Sequence, residues 1–113
     1  MGKLLRINIG LIMIGFITTP QIAALILDGI RVAQESRGHA YYWTTGAETI
    51  YSGVYKGQVF IPASDELLNT PLRNGLTPRD FPEFAQLVDL LGGLEERVVI
   101  ESDSLINPDI PTE

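Results

Sequence analysis

No residue between positions 7 and 27 is charged, and Lys3 and Arg6 stand just ahead of that stretch. A helix of this length can cross a bilayer, and basic residues before it hold an N-terminus in the cytoplasm. The segment also has the outline of a secretory leader, with a basic start and an apolar centre at residues 9–17. Its cleavage region is poor: Ala24 finds Ile22 where a second small residue belongs. These features set one reading, a membrane-anchored or exported protein in which residues 1–24 serve as signal or anchor.

Thr18-Thr19-Pro20 favours the other reading, because it divides the stretch in two. Thr19 is a good N-cap, and Pro20 fits the first helical position, where its missing N–H costs nothing. Residues 21–36 then turn amphipathic, with Ile22, Ile26, Ile30 and Ala33 on one face. Asp28, Arg31 and Glu35 are spaced as opposite-charge neighbours on another face, and Gly38 supplies a C-terminal stop. Upstream, Leu5, Ile7, Ile9, Leu11 and Met13 alternate with Arg6, Asn8, Gly10 and Ile12. That period of two belongs to a strand, and the glycines weaken a helix further. Residues 1–18 are thus read as an apolar segment with strand character. Met13 is also a second site at which translation could begin. A cytoplasmic or particle-bound location is favoured over a membrane or exported one.

Three short runs rich in aromatic and β-branched residues follow: residues 39–45 (HAYYWTT), 48–55 (ETIYSGVY) and 58–62 (QVFIP). Gly46-Ala47 and Lys56-Gly57 separate them, each of hairpin length with a glycine for positive φ. The pattern predicts a three-stranded antiparallel meander ended by Pro62, which cannot donate to a ladder. Residues 64–69 (SDELLN) predict one helical turn capped by Ser64. A further helix is expected from Asp80, with Glu83 reaching back to complete a capping box. It would bury Phe81, Phe84, Val88 and Leu91 and stop at Gly92-Gly93. Residues 97–101 (RVVIE) read as a last strand, with Val98 and Ile100 on one side. The fold class is α+β, one small domain over residues 1–106 with a flexible acidic tail at 107–113. With 45% hydrophobic and 19% charged residues, a chain of 113 has the means to bury a modest core.

The chemistry-bearing residues are sparse. No cysteine is present, so disulfides, thiolate metal sites and cysteine nucleophiles are excluded. The single histidine, His39, lacks a visible nucleophile or orienting group and reads as a strand-edge side chain. Glu95, Glu96, Glu101 and Asp103 gather near the last strand, and Asp65-Glu66 open the short helical turn. None forms an alternating acidic loop with its turn glycine, so they read as solvated surface. The glycines match no phosphate-binding pattern; each has a turn or cap reading except Gly53, which falls inside an expected strand. No metal or other cofactor is expected, and no catalysis.

Net charge is −6, unevenly spread. Lys3, Arg6, Arg31 and Arg37 outnumber Asp28 and Glu35 through residue 40, and every remaining acid lies beyond it. Such a surface repels a phosphate backbone, so nucleic acid is not an expected partner. The aromatics Tyr41, Tyr42, Trp43, Tyr51 and Tyr55 fall on the meander, on both of its faces, and one helix covers only one face. Aromatic residues of these types are enriched at interfaces. An apolar N-terminal strand through Ile7, Ile9 and Leu11 needs a hydrogen-bonded neighbour, which another subunit's sheet can supply. The sequence therefore points to a structural or assembly module acting through protein contacts. It would be an oligomer, or a small component of a larger particle such as a phage virion.

Overall fold

The computed structural model describes residues 11–36, 38, 46–72 and 75–109. Strand β1 (Ile12–Thr18) leads into helix α1 (Pro20–Ser36), then strands β2 (Glu48–Thr49) and β3 (Val59–Pro62). Short helix α2 (Asp65–Leu68), a 3-10 turn at Pro78–Asp80 and helix α3 (Pro82–Leu90) follow. Strand β4 (Val98–Glu101) ends the sheet, between 3-10 turns at Leu94–Glu96 and Ser102–Leu105. The fold class is α+β: the four strands form one antiparallel sheet in the order β2-β3-β1-β4.

The uncharged stretch is not one helix. Thr18 closes β1, and Thr19 caps α1, its hydroxyl accepting from the Ile22 N–H at 3.2 Å. Among the described residues, no helix is long and apolar enough to cross a membrane. Thr19→Ala removes that acceptor and leaves an N–H of the first turn unpaired. We expect a loss of about 0.5–2 kcal/mol, read as a lower denaturation midpoint. An unchanged midpoint would mean that solvent serves this helix start equally well.

β1 occupies the middle of the sheet, and the alternating residues 5–10 ahead of it lie outside the described residues. Phe16 pairs with Ile61 of β3, and Met13 with Ile100 of β4. Strand alternation sends Phe16 to the helical side and Met13 and Ile17 to the other. Both faces carry core residues, Phe16 on one and Met13 and Ile17 on the other, which is why the run IMIGFIT lacks polar residues at alternate positions. The described part of the N-terminal segment therefore meets its backbone neighbours within its own chain.

The helical side of the sheet holds the larger core. Phe16 and Ile61 pack there with Ile26 and Ile30 of α1, Leu68 of α2, Phe81, and Phe84 and Leu87 of α3. On the opposite face Phe60, Ile100 and Ile50 form a smaller cluster, flanked by Met13, Ile17, Tyr55 and Leu105. The run at 48–55 leaves the extended conformation after Thr49. Ile50 still pairs with Gln58, donating to its carbonyl at 2.8 Å, but residues 51–57 turn back on themselves. Gly53 and Gly57, both at φ 92°, make that turn, so Gly53 lies in a loop and not inside a strand. The first expected strand of the meander, residues 39–45, falls outside the described residues.

The start of α3 differs from the expected capping box. Pro82 takes the first helical position, and Phe81 before it is extended at φ −91°, ψ 132°. Asp80 is then too early to cap α3. Its carboxylate instead closes the preceding 3-10 turn, accepting from the Thr77 N–H at 2.8 Å and hydroxyl at 3.1 Å. Glu83 is buried in the first turn of α3, where a carboxylate complements the helix dipole. Ser64 caps α2 as its sequence implies, accepting from the Leu67 N–H at 3.1 Å.

Candidate interaction surface

Of the residues expected at an interface, Ile7, Ile9, Tyr41, Tyr42 and Trp43 lie outside the described residues, as does His39. Tyr51 and Tyr55 are both half-buried. They do not share a strand face, because the chain turns between them; Tyr55 packs on the smaller cluster. The Tyr51 N–H donates to the Ser104 carbonyl at 2.7 Å, which pins the turn to the C-terminal 3-10 segment. Leu11 is exposed, and its carbonyl accepts from the Ser102 N–H at 2.9 Å, so it extends the β1–β4 pairing by one residue.

The carboxylates stay apart. Asp65 accepts from Arg79 at 2.9 Å and from Arg97 at 3.1 Å. Arg97 also donates to the carbonyls of Ala63 and Leu94, so its mostly buried side chain ties the start of β4 to the β3–α2 junction. Glu95 and Glu96 lie in a 3-10 turn, exposed, and not on a strand. No group of three or more His, Asp or Glu among the described residues could hold a metal ion.

What the sequence reading missed is a second apolar stripe on α1. The buried line runs through Ala23, Ile26, Ile30 and Gln34; it keeps Ile26 and Ile30 of the expected face but has Ala23 and Gln34 in place of Ile22 and Ala33. Ile22 is therefore turned outward, in register with Leu25, Gly29 and Val32. Leu25 is 76% exposed and Leu90 of α3, across from it, 66%. Between them lies an open trough of about 640 Å³, walled by Ile22, Leu25, Leu90 and Leu91, with Thr18 as its polar lining residue. It continues along α1 past Gly29, above which there is open space, and there Glu83 and Gln86 of α3 also line it.

Asp28 and Glu35 both bond to Arg31, at 2.7 and 3.0 Å, and the stripe beside them carries no charge. No family model, curated protein or solved structure matches this chain.

The signal for the stripe was present in the sequence. Positions 22, 25, 29 and 32 follow the three-four spacing of a helical seam, beside a buried seam that alone would satisfy the core. Gln34 is the other surprise. It is fully buried, and neither atom of its amide finds a hydrogen-bond partner among the described residues.

Proposed function

We propose that this chain is a non-catalytic assembly module acting through protein–protein contacts, first with copies of itself, as a small component of an oligomeric particle. The observation that carries the reading is the largely apolar trough between α1 and α3, with Leu25 and Leu90 standing out at its rim. Ile22, Leu25, Val32 and Leu90 leave an apolar patch on the order of 400 Å², within the range of the largest patch on a soluble monomer, where such patches are often functional. A protruding leucine beside an open recess lets one surface act as both knob and hole, as an isologous contact requires. In a chain of net charge −6, copies repel one another over most of their surface, and a neutral stripe is where that repulsion is least.

Leu25→Glu tests this directly. Its side chain projects into solvent, so the fold should tolerate the change, with a melting temperature within a degree or two of the parent. Placed at the centre of an apolar contact, the carboxylate should weaken association by at least about tenfold. Sedimentation of the full chain at tens of micromolar reads the outcome. A parent chain that is monomeric at high micromolar concentration would remove the basis for this reading.

A further inference from the structure

We propose that β4 is a second self-association site, at which two copies join edge to edge and continue one sheet across a two-fold axis. This rests on the reading of the chain as self-assembling and adds a surface distinct from the α1–α3 trough. β4 is the terminal strand of the sheet, with β1 on one side and no strand on the other among the described residues. The hydrogen bonds fix which backbone groups turn outward. The Ser102 N–H reaches the Leu11 carbonyl, and the Ala63 N–H reaches the Ile14 carbonyl on the opposite side of β1. With Met13 opposite Ile100, residues 98, 100 and 102 face β1, and Val99 and Glu101 direct their N–H and C=O groups away from the sheet.

That outward edge is complementary to itself. Two antiparallel copies with Val99 opposite Val99 exchange both of that residue's backbone bonds across the axis. The Glu101 N–H of each copy then meets the Arg97 carbonyl of the other. The register sets Val99 against Val99, Val98 against Ile100 and Glu101 against the Arg97 backbone, whose side chain turns inward to Asp65, so no acid faces another acid. β4 carries neither proline nor lysine, two of the usual means of blunting an edge.

The adjoining sheet surface supports the same partner. On the helical face, α1 and α3 cover Phe16 and Ile61 but leave Ile12, Ile14 and Val99 exposed at 66%, 38% and 58%. Ile14 stands directly opposite Val99 across the β1–β4 ladder. Pairing at β4 sets this apolar end beside its own copy, making one ribbon from Ile14 through both Val99 side chains to the second Ile14. The edge supplies register and the ribbon supplies burial.

The test isolates the edge by first disabling the trough. With the trough disabled, the full chain carrying Leu25→Glu is expected to stop at a dimer at tens of micromolar, where the parent forms larger species. Adding Val99→Pro removes an N–H that no bond among the described residues uses, and should raise the dissociation constant at least tenfold, leaving monomer. Val99→Lys, which sets two ammonium groups together at the axis, is the second variant and should do the same. Circular dichroism of each variant at low concentration checks that the sheet is intact. A Leu25→Glu dimer that survives both changes overturns the edge. So does a Leu25→Glu chain that is already monomeric while the parent is not, and that result leaves the assembly reading standing. A monomeric parent overturns both.

Discussion

Gly15→Ala is expected to leave little folded protein. Gly15 sits midway along β1, opposite Pro62 on one side and Val98 on the other, in the most confined position of the sheet. A Cβ added there would run into the carbonyl oxygen of Ile61 and lie 2.7 Å from Cζ and 2.9 Å from Cε1 of Phe60. The ring cannot step aside, because Phe60 is fully buried in the smaller cluster. The carbonyl cannot move without disturbing the β1–β3 ladder, so trimming Phe60 would relieve only half of the conflict. Overpacking of this kind costs about 3 kcal/mol, more when backbone must yield. Total stability for a domain of this size is roughly 5–15 kcal/mol, so that is a large share of it. Urea denaturation followed by circular dichroism should show the midpoint falling sharply, or no folded baseline at all. A midpoint unchanged within error would mean that β1 does not run between β3 and β4 in this register.

Gly15 also shows where the sequence stopped being informative. In the string of apolar residues it reads as a weakness in a helix or strand, and only the strand order turns it into a requirement. Local signals survived well. Thr19-Pro20 and Ser64 start helices where their capping chemistry says they should, and Gly38, at φ 74°, follows the end of α1. Those signals act over three or four residues and owe nothing to the rest of the chain. Asp80 and Glu83 looked like an equally local signal, yet Pro82 between them moved the helix start and gave Asp80 to a different turn. Non-local facts were hidden. Nothing in residues 12–18 alone says that the strand is central, because an all-apolar run fits a strand covered on both faces as well as a membrane segment. The candidate surface suffered from the same limit. α1 has apolar residues around more than half of its circumference, and a rotation of one residue decides which line is core and which faces out. Sequence periodicity placed Ile22 inward with Ile26 and Ile30; packing kept those two, took Ala23 in place of Ile22, and so left Ile22, Leu25 and Val32 as the outward stripe.

The second large effect is expected from Phe84→Ala. α3 has only nine residues, too few for a helix to persist in water on its own propensity, so it exists because its inner face is buried. Phe84 is the centre of that face: it is 5% exposed and belongs to the cluster that joins α1, α2, α3 and the sheet through Ile26, Ile30, Leu68 and Phe16. Removing the ring costs its transfer free energy and leaves a cavity that helices held from three sides cannot close. The expected loss is about 3–5 kcal/mol. Leu90→Ala on the same helix is the control. Leu90 is mostly exposed, so truncation there should shift stability by no more than about 0.5 kcal/mol. The two variants should separate again in association. α3 forms one wall of the trough, so Phe84→Ala should weaken association through the trough together with stability, whereas Leu90→Ala should weaken it while melting like the parent. Thermal melts and sedimentation on the same samples give both readings. If Phe84→Ala melts like the parent, the inner face of α3 is not part of the core, and the trough has no wall to stand on.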